Sequence, residues 1–98
     1  MRTILDLEVY SDILTAMEFY EEAAGPELAA DFYGEFDRVL KRIARQSHAF
    51  RIHESGYRRA NLSRFPYNVI FRVIDENVVR ILAVRHDRRH PSYGIDRN

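Results

Sequence analysis

The sequence predicts an α+β domain in which an N-terminal strand and a helical hairpin pack on a mainly antiparallel C-terminal sheet. Three observations lead there. Apolar residues recur at helical spacing up to Gln46 and at every second position after it, Gly25-Pro26 interrupts the helical half, and Asp75-Glu76-Asn77 separates two apolar runs by a hairpin-sized turn. With 98 residues there is material for one core, so residues 1–98 are expected to form a single domain.

TILDLEV, residues 3–9, alternates loosely and predicts a first strand. Ser11 is a plausible N-cap for a first helix whose stripe of Ile13, Met17 and Tyr20 faces the core. Gly25 suits the position after a helix end and Pro26 the first turn of the next helix. That second helix, PELAADFYGEFDRVLKRIARQ, repeats Leu28, Phe32, Phe36, Val39, Leu40 and Ile43 at helical spacing and should end near Ser47. Its acids, Glu27, Asp31, Glu35 and Asp37, precede its bases, Arg38, Lys41, Arg42 and Arg45, in the order that complements the helix dipole. Then AFRIHE, a turn at Ser55-Gly56, YRRANLSRF, NVIFRVI and VVRILAV read as strands, the last two antiparallel neighbours. Pro66 lacks an amide donor, so the RFPY step should break or edge a strand and let Phe65 and Tyr67 pack at a bend.

The absence of cysteine removes disulfides, thiolate metal ligands and cysteine nucleophiles, and fits a reducing compartment, so a cytoplasmic location is expected. MRTILDLEVYSD mixes acids into its short apolar stretch, unlike a signal peptide, and no run nears the roughly 20 apolar residues of a membrane span. No membrane association is expected. Net charge is zero, yet residues 1–45 hold ten acids against five bases and residues 46–98 hold five acids against ten bases. The bases of the second half are all arginine, whose planar fork suits phosphate; an equally simple reading is that they solvate an exposed sheet face.

Alternation along YRRANL puts Tyr57, Arg59 and Asn61 on one face and Arg58, Ala60 and Leu62 on the other. A hairpin covering one sheet face leaves the other open, where arginines including Arg72 and Arg80 could converge as a phosphate cradle. The C-terminal stretch AVRHDRRHPSY completes the last strand with AVRH and adds a basic extension carrying Arg88, Arg89, His90 and Tyr93. RNA cleavage needs a base, an acid and positive charge around the phosphate, and His86, His90, Tyr93 and Glu54 are candidates for moving protons. Both histidines are more simply explained by packing and hydrogen bonding. His86 and His90 stand four apart, but Pro91 follows directly and no third ligand is evident, so no metal is expected. No glycine-rich phosphate loop or serine nucleophile motif occurs, and no cofactor is expected.

Taken together, 57-YRRANLSRFPYNVIFRVIDENVVRILAVRHDRRHPSY-93 resembles the C-terminal sheet of the RelE/ParE toxin superfamily, with its basic strand, phenylalanine-proline-tyrosine step, hairpin and histidine-arginine-proline-tyrosine ending. Upstream, MEFYEEAAGPELAADFYGEFDRVLKRIARQ resembles the family's helical hairpin, so the resemblance covers nearly the whole chain. It implies the growth-inhibiting toxin of a type II toxin-antitoxin pair, neutralised in a hetero-oligomer by a small cognate antitoxin wrapped around it. The superfamily divides into ribosome-dependent messenger RNA endonucleases and inhibitors of DNA gyrase. For the nuclease branch the resemblance implies Arg59 and Tyr93 as carried-over site residues, with His86, Arg89 and His90 beside them. Target-binding residues would be Arg58, Arg64, Arg72, Arg80, Arg88 and Arg89. Lys41, the single lysine, lies on the second helix, so the lysine-rich catalytic face of some of these nucleases has no counterpart. RFPY and HDRRHPSY are more similar to plasmid-stabilisation proteins on the gyrase-inhibitor side. A non-toxic binding module of the same fold is the alternative from another class.

Overall fold

In a computed structural model, which describes residues 1–53 and 55–97, the chain runs β1 (Arg2–Leu5), α1 (Leu7–Ala24), α2 (Pro26–Gln46), a 3-10 turn at Ser47–Ala49, β2 (Arg58–Asn61), β3 (Tyr67–Asp75) and β4 (Val78–His86). The sheet order is β1-β4-β3-β2; β1 joins β4 in parallel and the remaining pairs are antiparallel. This is the predicted α+β architecture.

The first helix begins at Leu7, earlier than Ser11, and the first strand is correspondingly short. Val9 explains the difference: it continues the period-two pattern of Leu5 and Leu7, yet with Ile13 and Ala16 it forms the four- and three-residue spacing of a helix face, and all three are buried. Burial selects the helical alternative. Asp6 occupies the N-cap position without a capping bond; its Oδ1 instead accepts from Arg80 Nε at 2.6 Å. Gly25 ends α1 at φ 94°, where its N–H donates to Glu21, and Pro26 opens α2 as predicted.

Phe32, Phe36 and Ile43 of α2 join Val9 and Ile13 of α1 over one sheet face, against Ala60, Val69, Phe71, Val79 and Ile81. Tyr20, Phe32, Phe65 and Tyr67 form an aromatic group at one end, with ring centroids 4.9–6.2 Å apart. The RFPY step is the predicted bend: Phe65 is buried in this group, and the Leu62 and Tyr67 backbones close the loop by an N–H to carbonyl bond of 2.9 Å. AFRIHE, by contrast, contributes among its described residues a single bridge, Ile52 to Arg58, rather than a strand.

The opposite sheet face is not open. Tyr57 and Tyr93 pack on Ile70, Leu82 and Ala83 as a second, smaller core. Gly94, at φ 80°, brings the C-terminal segment so close that an added Cβ would collide with Ala83. One irregularity builds this face. Ile70 opposes Ala83 while Phe71 opposes Ile81, so Leu82 is an extra residue that reverses the in-out parity of the rest of β4.

Candidate functional site

The reversed parity decides which side chains meet. Beyond the bulge Val84 packs in the helix-facing core, Arg85 stands opposite Asn68, and His86 stands opposite Tyr67, with the His86 and Tyr67 rings edge-to-face at 5.1 Å. Arg85 therefore points to the far face, where β2 presents Tyr57, Arg59 and Asn61 as the alternation predicts. These residues, with Arg89 and Pro91 of the C-terminal segment, line a groove of about 570 Å³.

Arg85 is the floor of this groove and is only 4% exposed. Its Nε donates to Asn68 Oδ1 at 3.0 Å, and its Nη1 donates to the carbonyls of Pro91 and Tyr93. All these acceptors are neutral, and among the described residues no carboxylate pairs with Arg85, Arg59 or Arg89. A buried guanidinium neutralised only by dipoles leaves positive potential in the groove. Asp87 sits at the rim, its Oδ1 accepting from Asn68 Nδ2 at 2.9 Å, so among the described residues three arginines face one carboxylate. The same field reaches His53: burial first, then Arg59, Arg51 and Arg85, hold its imidazole below the usual histidine range.

The other candidate residues disperse. His86 lines a neighbouring cleft of about 90 Å³ at the junction of α1 and β4, together with Asp12, Arg85, Arg89 and Tyr93, a space for a few waters rather than a nucleotide. Its Nδ1 accepts from the Arg88 N–H at 3.0 Å, and His90 Nδ1 accepts from the Ser92 N–H at 3.1 Å, so each histidine ring ties a turn. His90 borders a second groove, of about 580 Å³, next to the first. Arg58 donates to the Phe50 carbonyl at 2.7 Å, Arg64 pairs with Asp31 at 3.5 Å, and Arg80 pairs with Asp6. Arg72 braces the Ser55 and Ile95 carbonyls. Arg88 is exposed, and Arg89 lies over the Tyr93 ring, 4.6 Å from its centroid. Glu54 lies outside the described residues.

Tyr93 serves a latch. Its hydroxyl donates to Asp12 Oδ1 at 2.8 Å, and Arg97 donates to both oxygens of the same carboxylate. Burial, and then the Asp12 carboxylate, push the Tyr93 phenol up from its ordinary range. A phenol whose folded pKa is raised stabilises the fold fully below the unfolded value, about 10, and that stability is lost as pH climbs through the raised pKa. Tyr93→Phe, which cannot ionise, should cost about 1 kcal/mol at neutral pH for the lost bond. Above about pH 10 its stability should fall less steeply than that of the unmodified protein. Chemical denaturation across that range checks this, and parallel curves would refute it.

Arg85 and His53 were not among the residues singled out in the sequence. A regular strand running on from Val79 and Ile81 would turn Arg85 toward the helices, and only the bulge at Leu82 sends it outward. For His53, the available signal was its symmetric position with Tyr57 about the Ser55-Gly56 turn.

Among the described residues no three histidine, aspartate or glutamate side chains gather as a metal site, and no helix is long and apolar enough to cross a membrane. A solved chain described as "Chromosomal ParDE TA system from P. aeruginosa" shares the fold with TM-score 0.78, over 88% of this chain and 95% of that one, at 22% identity. The proteins called "Toxin ParE2" from two strains of Mycobacterium tuberculosis are each 38% identical over 85 residues, 86% of this chain and 79% of theirs. The sequence model for "ParE toxin of type II toxin-antitoxin system, parDE" matches residues 4–91, and with these relatives it shows that the chain belongs to the ParE toxin family.

Proposed function

We propose that this protein inhibits growth by gripping an acidic target through the far-face groove, that the target is DNA gyrase, and that it does not cleave RNA. The observation that carries the reading is that the groove arginines have no carboxylate partner among the described residues, whereas His86, His90 and Tyr93 are tied into structural bonds. Arg59, Arg85 and Arg89 converge in the groove; Arg85 and Arg89 also line the much smaller cleft that His86 and Tyr93 border, which has room for a few waters only. The Nδ1 atoms of His86 and His90 and the Tyr93 hydroxyl are already engaged in bonds that hold turns and the C-terminal segment. Such an arrangement supports binding by fixed charge more than general acid-base chemistry, and the imidazole that lines the groove, His53, is stacked on Tyr57.

Family membership implies an antitoxin partner. A groove of about 360 Å³ between α1 and α2 supports its docking place, being lined by Tyr10, Leu14, Met17, Tyr33 and Leu40. Tyr10 and Leu14 are 56% and 59% exposed, more apolar surface than an unpartnered helix face needs to show. The antitoxin fits as an amphipathic segment laid along this groove, forming a hetero-oligomer in the cytoplasm.

Arg59→Glu tests the reading, because Arg59 is exposed and its change is expected to leave the fold intact. Induction of the unmodified protein without its antitoxin should arrest growth and trap cleaved DNA, while messenger RNA on ribosomes stays intact. Arg59→Glu should weaken inhibition of supercoiling roughly tenfold or more, equivalent to about 1.4 kcal/mol. Broken messenger RNA with unaffected supercoiling would assign the nuclease activity instead, and normal growth would leave a non-toxic binding module.

A further inference from the structure

The far-face groove carries an aromatic stack as well as charge. His53 and Tyr57 flank the Ser55-Gly56 turn, which is closed by His53 N–H to the Tyr57 carbonyl at 2.8 Å and Gly56 N–H to the His53 carbonyl at 2.9 Å. Gly56 sits at φ 78°, a conformation that favours glycine at this turn. The two rings are stacked, 4.8 Å between centroids and 5° from parallel. Tyr57 is seated on Ile70, Leu82 and Ala83, which leaves the half-buried imidazole as the outer member of the stack.

This stack partitions two adjoining grooves. His53, Tyr57 and Pro91 border both; Arg51 lies in one, and Arg59, Arg85 and Arg89 lie in the other. Volumes of about 580 and 570 Å³ fall within the range of ligand-sized sites, about 300–1,000 Å³. The trough therefore alternates cation, flat ring and cation along its length. An acidic protein surface would use the arginines and leave the rings idle. A nucleic-acid strand uses both, because each phosphate has a base beside it, and a base is free to stack on protein only when it is not paired.

We propose that this trough binds a single strand of nucleic acid, with backbone phosphates on Arg59 and Arg89 above the buried Arg85 and one unpaired base stacked on His53. The proposal rests on the groove being the target-facing surface and deepens it: what the groove touches at the target is a strand of nucleic acid held there, rather than the target's own acidic protein face. Asp87 limits the phosphate positions to the side of the groove away from Asn68.

The test is fluorescence anisotropy of the full-length free protein with labelled single-stranded DNA, single-stranded RNA and duplex DNA, with inorganic polyphosphate as a competitor that has charge but no bases. Single strands should bind in preference to duplex, and the better of the DNA and RNA arms identifies the strand's source. Affinity should fall with salt at a slope near −0.7 for each phosphate neutralised. His53→Ala, on an exposed turn, should weaken strand binding roughly fivefold or more, the effect of losing about 1–3 kcal/mol of stacking, and should leave polyphosphate binding unchanged. Arg59→Ala should weaken both. The His53 ring resonances give an independent readout: they should shift on strand binding in a way polyphosphate does not reproduce. No single-strand binding at low salt, or equal strand binding by His53→Ala and the unmodified protein, would overturn the proposal. A chain whose growth arrest depends on Arg59 but which binds no strand would retain the target-gripping role and lose this one. Strand binding by a chain that arrests nothing would support this proposal and remove the other.

Discussion

Replacing Asp12 with alanine is expected to destabilise the protein by about 3–5 kcal/mol, the range for removing one partner of a buried ion pair. The Asp12 side chain is only 4% exposed, and its two oxygens receive the side-chain bonds of both Tyr93 and Arg97 from the C-terminal segment. Oδ2 accepts from the Val84 N–H at 3.0 Å, on the stretch of β4 beyond its pairing with β1, and from Arg97 Nη1 at 2.7 Å; Oδ1 accepts from Tyr93 at 2.8 Å. The Asp12 bonds raise the Arg97 pKa still further above its already high range, so the guanidinium stays charged and is left buried without its main counter-ion in the variant. Glu8 also meets Arg97, at 2.7 Å, but that carboxylate is 68% exposed and its pairing is screened by water. Since a domain of this size shifts its Tm by about 4–8 °C per kcal/mol, Asp12→Ala should unfold more than about 10 °C below the unmodified protein. Trypsin should also cut sooner after Arg88 and Arg89, because the segment that walls the groove comes free. Asp12→Asn, which keeps the shape and loses the charge, should fall between the two. A Tm change of only a few degrees in Asp12→Ala would show that the segment is held by Tyr93 packing and Gly94 instead.

Asp12 also shows where sequence patterns stop being informative. Periodicity gives the faces of elements correctly wherever the pattern is regular: Tyr57, Arg59 and Asn61 do oppose Arg58, Ala60 and Leu62, and Phe32, Phe36 and Ile43 do form the core side of α2. It fails at two kinds of place. One is a pattern compatible with both periods, as at Val9, where the helix starts earlier because tertiary burial favours it. The other is a polar side chain whose partner is far away in sequence. Asp12 meets Val84, Tyr93 and Arg97 across 72 to 85 positions, and nothing local distinguishes it from the exposed acids of the same helix. The groove itself was half legible. Arg59 follows from strand alternation, whereas Arg85 depends on one extra residue at Leu82 and His53 on a turn that lines it up with Tyr57. Covering of the far face was missed for a related reason, since a tail of polar residues gives no sign that Tyr93 and Gly94 will close against Ala83.

Glu35 is the second buried acid of this kind, and its replacement with alanine should cost about 2–3 kcal/mol, from two hydrogen bonds to a charged group less the partial rehydration of their donors. Its place in sequence, among the acids of the first half of α2, suggests a contribution to the helix dipole. Its side chain instead receives the backbone N–H groups of Ser63 and Arg64, and the residue is only 8% exposed. Those donors belong to the loop that delivers Phe65 into the aromatic group with Tyr20 and Phe32, so the carboxylate fixes the RFPY bend from below. Asp31 offers the contrast that decides between specific anchoring and general charge. It too faces the loop, pairing with Arg64 at 3.5 Å, but both side chains are more than half exposed, and Asp31→Ala should change stability by less than about 1 kcal/mol. Glu35→Gln, which retains one acceptor oxygen, should lose roughly half of what Glu35→Ala loses. Thermal unfolding of the three variants, with near-ultraviolet circular dichroism to follow the packing of Phe65 and Tyr67, gives the comparison. If Glu35→Ala is no worse than Asp31→Ala, the bend is held by its aromatic packing alone. If the expected order is found, a single carboxylate on α2 sets the position of the loop that leads into β3, and with it the register that places Asn68 against Arg85 at the floor of the groove.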